Sequence, residues 1–350
     1  MKKRLEQQQV VMSAPCRLDF GGTLDISTFF FPLRHLSPTT FNIALSMRTT
    51  VTLSPWISGN VRISSRGFET VSFDKGTSPY NHPLGLMLSI CDYFDAHGLH
   101  IDIRSSSPPR SALGGSSVAA VALIGALMTA TGETEGDALP LDHIVRLAYA
   151  IESSVLRVPC GMQDQLAAAF GGVNAWRFTG DVMGPPYERK VVVEPSGYKA
   201  LESRILAAYC GDPHESVNIN GKWVNHFMTG SDRGVWKNII ASCTRFAEAL
   251  AQGDYNEAAL LMNQETELRL KMTPDVLDAT GKKLAGLARE KGCGARFTGA
   301  GGGGCVWAVG EAGNIKDLKA EWAHVISETP QAGFLDTTIS SQGLEQETGQ

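Results

Sequence analysis

The sequence lacks the local signals of several common classes of protein. Its seven cysteines form no C-x-x-C pair, and such an odd, scattered set indicates reduced thiols rather than disulfides or a zinc site. The longest apolar run, Val118 to Met128, is too short to span a bilayer, and no apolar segment follows the basic start as in a secretory signal. We therefore expect a cytoplasmic protein with no membrane partner.

The sequence also has no strong excess of charge of one sign, and the best-known catalytic and nucleotide-binding patterns are absent. The net charge is −5 with no dominant basic block, so nucleic acid is not an expected partner. There is no G-x-x-x-x-G-K-[ST] motif and no G-x-G-x-x-G motif in a dinucleotide-binding context. Ser, His and Asp residues form no recognisable triad, and the histidines show no metal-binding spacing. The 350 residues, 43% of them hydrophobic, indicate an ordinary globular chain with two domains.

The segment Pro108–Ala120 (PPRSALGGSSVAA) predicts a turn that leads into a helix. Gly114 and Gly115 allow positive φ and close approach of a ligand, and Ser116 and Ser117 are good N-cap residues. A helix that begins in this way presents free N–H groups and a positive dipole end to an anion. A serine hydroxyl there can also reach a metal bound to a phosphate. For the isolated segment, a capped core helix is an equally favoured interpretation.

The remaining pattern predicts alternating strands and helices. Strand-like alternation covers residues 14–20, 41–53, 61–65, 69–73, 100–105, 173–178, 188–193 and 204–209. Helical periodicity covers residues 82–96, 118–128, 141–156, 162–170, 216–228, 233–252, 255–272 and 279–291. A shift in composition near Pro195 indicates one domain over residues 10–195 and a second over 196–340. The polar tail from about Ser340 is expected to be loose.

Two acidic residues and two glycine-rich turns are further candidates for a site. Glu152 lies near the end of its helix, where the dipole disfavours a carboxylate, although a solvated glutamate is the commoner case. Asp164 lies in the first turn of a short helix, where a simple dipole partner is equally favoured. The run Gly301–Gly304 favours close packing against another backbone or a ligand. Residues 21–25, at the end of a strand, suit a polar ligand, but a plain turn is favoured for that segment alone.

Three motifs, taken in order, resemble those of the GHMP kinase superfamily, which includes galactokinase, homoserine kinase, mevalonate kinase and phosphomevalonate kinase. They are Ala14–Asp25, Pro108–Ala120 and Thr298–Cys305. Within the superfamily, Arg17–Asp25 and Gly161–Asn174 are most similar to segments of the D-glycero-D-manno-heptose 7-phosphate kinases. The chain departs from that pattern at Leu24, which interrupts Gly-Thr-Asp, and at Arg110 and Ala112, where the family commonly has small residues and glycine.

The resemblance implies a two-domain α+β fold, with an N-terminal domain like ribosomal S5 domain 2 and a ferredoxin-like C-terminal domain. It also implies an ATP- and Mg²⁺-dependent sugar kinase. The acceptor would be a small sugar or sugar phosphate, heptose 7-phosphate-like or galactose/fucose-like. Its anomeric hydroxyl would be phosphorylated to give a sugar 1-phosphate, and a homodimer is a possible assembly.

The resemblance further implies a role for each candidate residue. Asp164 would orient or deprotonate the sugar hydroxyl, and Arg17 beside it would keep it ionised and stabilise the transferring phosphoryl group. Glu152 and Ser116 would hold magnesium, with Ser117 as the alternative serine. The expected ATP-binding residues are Pro109, Leu113, Gly114, Gly115, Ser116, Ser117 and Ala119, and the expected substrate-binding residues are Asp25, Gly22, Gly301 and Gly302.

Two other functions remain open on the same scaffold. One is a catalytically silent sugar-binding sensor, which need not keep the set of Arg17, Glu152 and Asp164. The other is a GHMP-type diphosphate decarboxylase, against which the Gln163-Asp164-Gln165 context favours a sugar.

Overall fold

The computed structural model describes residues 1–133, 138–155, 159–181, 183–212 and 219–347. The strands are β1 (Val10–Phe20), β2 (Thr39–Pro55), β3 (Asn60–Ser65), β4 (Val71–Asp74), β5 (Leu99–Ser105), β6 (Val173–Phe178), β7 (Tyr187–Val193), β8 (Ile205–Tyr209), β9 (Gly294–Phe297), β10 (Cys305–Val309), β11 (Gly333–Phe334) and β12 (Glu345–Gln346). The helices are α1 (Lys2–Gln7), α2 (Ser27–Leu33), α3 (Gly85–Tyr93), α4 (Gly115–Thr131), α5 (Leu141–Val155), α6 (Gln163–Phe170), α7 (Tyr198–Glu202), α8 (Ile219–Met228), α9 (Arg233–Gln252), α10 (Tyr255–Met272), α11 (Ala279–Glu290) and α12 (Ala312–Glu328).

The first sheet has eight strands and lies in the N-terminal half of the chain. Its order is β12-β1-β2-β5-β3-β4, while β6 pairs with the beginning of β2 and β7 pairs with β6. All neighbouring pairs are antiparallel except β3 and β5. Helix α4 packs on β1, β2, α5 and α6, and its residues are buried from Ser117 to Ala130. A helix that is apolar on every side belongs inside a core, which explains why α4 lies at the centre.

The second sheet has four antiparallel strands in the order β11-β8-β10-β9. Helices α10, α11 and α12 pack against it. The two halves meet along β1, where the Phe246 ring lies 4.1 Å from the Phe20 ring and Trp307 Nε1 donates to the Asp19 carbonyl oxygen at 3.0 Å. The expected α+β fold is confirmed, and the motifs at both ends of the chain come together at this junction.

The tail after Ser340 is ordered through residue 347, so the expectation of a loose tail is wrong. Strand β12 pairs with β1, with Met12 opposite Gln346. Arg48 donates to the Gly343 carbonyl oxygen at 2.6 Å and pairs with Glu345 at 3.0 Å. Leu344 is buried against α4. The segment is polar in composition, but it finds backbone and arginine partners at the open edge of β1, which composition alone does not reveal.

In the part of the chain that the structure describes, no helix combines the length and apolarity needed to cross a membrane. Helices α1, α2, α7 and α12 lie outside the segments whose periodicity predicts a helix.

Candidate functional site

The segment of residues 108–116, which we call the 108–116 loop, follows β5 and includes the first two residues of α4. Every second residue in its centre has positive φ: Arg110 at 54°, Ala112 at 58° and Gly114 at 84°. Gly114 is the N-cap of α4 and supplies no side-chain acceptor, while Gly115 and Ser116 are exposed. The first N–H groups of α4 therefore lack a side-chain cap, and the helix begins where a ligand can approach it.

This helix start opens on a cavity of about 470 Å³. The apolar part of its wall includes Leu84, Leu86, Met87 and Ile103, and its polar end holds Arg17 and Asp164. Among the residues expected to bind ATP, those that line the cavity are Pro109, Leu113, Gly114, Gly115, Ser116 and Ala119. Ser117 does not line it, because that side chain is turned into the protein.

Arg17 and Asp164 form an ion pair at the polar end of the cavity. Arg17 donates from Nε to Asp164 Oδ1 at 2.8 Å, and its Nη2 lies 2.8 Å from the same oxygen. The Asp164 side chain remains 24% exposed, so it is open to a ligand in the cavity. Burial raises the pKa of Asp164, and the Arg17 guanidinium opposes that rise. The Asp164 carboxylate can therefore accept a proton, and it is held beside a fixed cation.

Arg17 is fixed by further contacts. It donates from Nη1 to the Ala112 carbonyl oxygen at 2.7 Å and lies 3.2 Å from Asp19 Oδ1. Burial lowers the pKa of Arg17, but Asp164 and Asp19 outweigh that effect and leave it above its ordinary value. The side chain is 2% exposed, so its position is set by the protein and not by solvent. It thereby ties the 108–116 loop to Asp164.

Glu152 pairs with Ser117, the alternative serine of the predicted magnesium site, and not with Ser116. Ser117 donates to both carboxylate oxygens, at 3.0 and 2.9 Å, and Gln165 Nε2 donates to Oε2 at 2.6 Å. Ser116 is exposed at the cavity wall instead. The reason is helical geometry, since neighbouring residues point about 100° apart around the axis. Burial raises the pKa of Glu152 to about 7.

The acidic side chains do not form a ready-made metal cage. Within the described ranges, no group of three or more His, Cys, Asp or Glu residues is placed to hold a metal ion. The oxygen donors near the cavity are Ser116 on its wall and Glu152 with Ser117 behind it. Such a sparse oxygen set fits magnesium that takes its other ligands from phosphate and water.

Asp25 lies behind Asp164 and not in the cavity. It is 2% exposed, and its Oδ2 accepts from the Gln163 N–H at 2.9 Å. It sits so close to Gly161 that a Cβ there would collide with the carboxylate. Burial raises the pKa of Asp25 to about 6. Asp25 therefore closes the beginning of α6, and its contact with a substrate stays a prediction.

Three glycines expected to contact substrate also lie outside the cavity wall. Gly22 is buried, and its carbonyl oxygen accepts from Arg269 Nη2 at 2.8 Å. Gly301 packs tightly against Val276, and the Gly302 N–H donates to the Val276 carbonyl oxygen at 3.0 Å. Gly301 and Gly302 are thus packed against Val276, while Gly22 lies beside Asp19 and Gln163. Substrate binding by these three glycines stays a prediction.

The glycine run does pack against the 108–116 loop, as the sequence indicated. A Cβ on Gly304 would lie 2.7 Å from the Ser111 carbonyl oxygen, so only glycine fits there. The Gly299 N–H donates to Asp19 Oδ1 at 2.6 Å, and Gly299 lines the cavity. The segment between β9 and β10 therefore contributes Gly299 and Ala300 to the cavity wall.

Sequence analysis missed a buried chain of ion pairs behind Arg17. Asp19 Oδ2 lies 3.2 Å from Arg296, Arg296 Nε donates to Glu265 at 2.9 Å, and Arg269 Nε donates to Glu265 at 2.7 Å. The side chains of Asp19, Arg296, Glu265 and Arg269 are fully buried. One signal was available, because Glu265 and Arg269 are four residues apart on one predicted helix face. The link from that pair to β1 had no signal in the sequence.

Two family models match the chain. The model for the GHMP kinases N terminal domain matches residues 81–172, and the model for the GHMP kinases C terminal domain matches residues 246–327. The first match contains the 108–116 loop, Glu152 and Asp164, and the second contains Glu265, Arg296 and the glycine run.

Curated relatives match at low identity. The bifunctional fucokinase/GDP-fucose pyrophosphorylase of Arabidopsis thaliana is 25% identical over 61% of this chain and 20% of that protein. The D-glycero-alpha-D-manno-heptose 7-phosphate kinase of Campylobacter jejuni is 27% identical over 57% of this chain and 58% of that protein. The chain thus spans less than two thirds of these two relatives. The mevalonate kinase of Thermococcus sibiricus is 26% identical over 76% of this chain and 81% of that protein.

Solved structures share the fold over nearly the whole chain. A D-glycero-D-manno-heptose 1-phosphate kinase from Bacteriodes thetaiotaomicron aligns with a TM-score of 0.72 at 20% identity, covering 97% of this chain and 99% of that one. This similarity concerns the fold alone.

Proposed function

Because the chain belongs to the GHMP kinases, we propose that it is an ATP-dependent sugar kinase that transfers the γ-phosphoryl group to a sugar hydroxyl. The observation that carries the proposal is the Arg17–Asp164 pair at the polar end of the cavity, beside the uncapped beginning of α4. Phosphoryl transfer needs positioning and charge neutralisation more than covalent chemistry, and this arrangement offers both.

Asp164 is the proposed catalytic residue. Its open carboxylate accepts a hydrogen bond from the attacking sugar hydroxyl and takes its proton as the sugar oxygen bonds to the γ-phosphorus. The bond between that phosphorus and the bridging oxygen of ADP breaks in the same transfer, and ADP leaves. Arg17 favours the ionised form of that carboxylate, since the cation opposes the rise in its pKa that burial causes. The same guanidinium stabilises negative charge that develops on the transferring group.

The phosphates of ATP fit the open end of α4. Backbone N–H groups at Gly115 and Ser116 are available there, because Gly114 supplies no side-chain cap. Magnesium on the phosphates would spread their charge, with Ser116 on the cavity wall and the Ser117–Glu152 pair behind it as protein oxygens. Burial raises the pKa of Glu152 to about 7, and a cation beside it would favour the ionised form.

In this proposal, Asp25 affects the acceptor sugar indirectly, because it holds the beginning of α6 in place. Its carboxylate fixes the Gln163 N–H and so fixes Asp164 one residue later. The acceptor class comes from relatives whose names describe a fucokinase activity and a heptose 7-phosphate kinase activity. We propose the anomeric hydroxyl as the acceptor because it is the most acidic sugar hydroxyl, and a carboxylate such as Asp164 can receive its proton.

One assay series tests the proposal. ADP formation from ATP is measured across manno-configured heptoses and their 7-phosphates, galactose, fucose and mevalonate, with carbon dioxide release followed in parallel. Phosphorylation of a sugar and a product whose phosphorus signal couples to the anomeric carbon are expected. Phosphate on a primary carbon would contradict the anomeric assignment. Turnover of mevalonate alone, release of carbon dioxide, or sugar binding without turnover would each reject the sugar kinase in favour of another function.

A further inference from the structure

The positively charged side chains in the cavity wall differ in whether a carboxylate already engages them. Arg17, Arg66 and Arg110 line the cavity, and none of its described lining residues is a lysine. Arg17 is already engaged by Asp164 and Asp19. Arg66 and Arg110 are exposed and have no carboxylate partner among the residues that the structure describes. The positive charge that remains available to an anionic ligand therefore belongs to these two side chains.

The two arginines come from different elements and meet at one place. Arg66 lies in the turn between β3 and β4, and Arg110 lies in the 108–116 loop. Both also line a second cavity of about 600 Å³, whose wall includes Tyr209 and Phe334 of the second sheet. Both arginines therefore lie between the two cavities, at the outer side of the loop that leads to α4.

Arg110 has a backbone conformation that is unfavourable for a residue with a side chain. Its φ of 54° lies in the left-handed region, which costs a residue with a Cβ more than it costs glycine. A glycine there would remove that cost and with it the cation. A strained residue with an unpaired charge at the wall of a ligand cavity points to a role for the side chain.

We propose that Arg66 and Arg110 form a clamp that binds the phosphate chain of the nucleotide, an inference that rests on the proposed function. The chain has no lysine of the G-x-x-x-x-G-K-[ST] type, and the α4 N-terminus supplies only partial positive charge. The planar guanidinium group donates two parallel hydrogen bonds to phosphate oxygens. The helix start would hold the phosphates from one side and the clamp would hold them from the other.

Equilibrium binding of ATP, ADP and adenosine tests the clamp without an acceptor sugar. Arg110→Gln and Arg66→Gln are each expected to weaken ATP binding by about tenfold or more, the usual effect of losing a hydrogen bond to a charged group. Adenosine binding should not change, and the loss for ATP should shrink as salt concentration rises. Arg110→Lys should retain part of the affinity, because it keeps the charge but not the planar fork.

Arg104→Gln is the matched control. Arg104 lies on β5 close to the same loop, is 82% exposed, pairs with Asp102, and lines neither cavity. Its substitution removes the same net charge and should leave the ratio of ATP to adenosine affinity unchanged. Thermal unfolding should show the same midpoint for all these variants, because the three arginines are exposed.

The outcomes separate the clamp from the proposed function. ATP affinity that is unchanged in both Arg110→Gln and Arg66→Gln, or an equal loss for adenosine, overturns the clamp while nucleotide binding itself stands. A decrease in Arg104→Gln equal to that in Arg110→Gln also overturns it, because the effect is then one of net charge. If the unaltered chain binds no ATP, the proposed function fails and the clamp fails with it.

Discussion

Two helices begin near the candidate site, and only one of them has an N-terminus that is open to a ligand. Helix α4 begins after Gly114 without a side-chain cap and opens on the cavity. Helix α6 begins at Gln163, whose N–H is taken by the buried Asp25 carboxylate from a segment 138 residues earlier. The open start is available to an external anion, whereas the closed start is already occupied by one from the protein itself. The comparison shows that a helix N-terminus becomes a site only where the fold leaves it empty.

The closed start has its own use, because it carries Asp164. With its first free N–H satisfied internally, α6 does not compete for the anion that α4 would bind. Asp164 lies at 3.3 Å from the position that a Cβ on Gly114 would take, so the two helix starts face each other. One start would hold the phosphate donor and the other would present the proton acceptor.

Removing the carboxylate from the start of α6 has the largest expected effect. Asp164→Asn should lower kcat by roughly 10² to 10⁴, the usual contribution of general base catalysis. The side chain keeps its volume, and Arg17 keeps Asp19 as a partner, so the thermal midpoint should change little. Steady-state kinetics with the best sugar acceptor measure the effect. Turnover near that of the unaltered enzyme would remove Asp164 from the mechanism.

Glu152 should make stability depend on pH. Its pKa of about 7 in the folded chain lies above its ordinary 4.5, so the folded state binds the proton more tightly than the unfolded state. The contribution of this proton to the free energy of unfolding is fully present below about pH 4.5 and is lost as the pH rises to about 7. It amounts to about 1.4 kcal/mol for each pKa unit by which the folded and unfolded states differ. Urea unfolding between pH 4.5 and 7.5 measures the slope, and Glu152→Gln should flatten it. An unchanged slope in that variant would contradict the assignment.

The same variant tests the proposed metal role. Activity should disappear with a chelator and return with magnesium or manganese, and Glu152→Gln should raise the metal requirement more than the KM for sugar. A response confined to the sugar KM would show that Glu152 does not act on the metal.

Opening the closed helix start should destabilise the protein by a smaller amount. Asp25→Ala leaves the Gln163 N–H buried without an acceptor, which costs about 1–3 kcal/mol in the free energy of unfolding. Asp25→Asn keeps an acceptor oxygen and should cost less. Urea unfolding at pH 7 compares the two, and kcat should fall in parallel because Asp164 loses its fixed position. Equal stability of the Ala and Asn variants would mean that Asp25 does not close α6.

Relaxing the loop before the open helix start has the smallest expected effect. Ala112 has a φ of 58°, and glycine adopts that conformation without the clash of a Cβ. Ala112→Gly should therefore stabilise the chain by up to about 1 kcal/mol, part of the gain being offset by the greater freedom of glycine when unfolded. Gly114→Ala should change the thermal midpoint in the opposite direction. A lower midpoint for Ala112→Gly would show that the loop is not strained there.

Residues 108–120 contain the local signal for a glycine turn followed by an apolar helix, because both depend on local preference. The same residues leave a capped and an open helix start equally favoured, and it is the family resemblance that predicts the α+β fold. The Arg17–Asp164 contact is different, since it joins residues 147 positions apart and no local pattern specifies it. Only the resemblance to a known family placed those two residues together.

Three features needed the structure. The choice between Ser116 and Ser117 depends on the rotation of α4 against α5, and both are good N-cap residues by type. The closing of α6 by Asp25 depends on a turn that brings β1 across its first residue. The ion pairs from Asp19 to Arg269 join β1, β9 and α10, and burial alone distinguishes them from ordinary surface charges. Each is a contact between distant segments, which local pattern does not encode.

The pairing of β12 with β1 has a consequence for synthesis of the chain on the ribosome. Ser13, in β1, hydrogen-bonds Glu347, 334 positions later. Until that late segment leaves the exit tunnel, the edge of β1 and the groove that receives Leu344 beside α4 are uncovered. The first sheet is thus completed only after a segment 334 positions beyond Ser13 has been translated. An exposed strand edge in a nascent chain is a place where a chaperone can bind or a second nascent copy can pair.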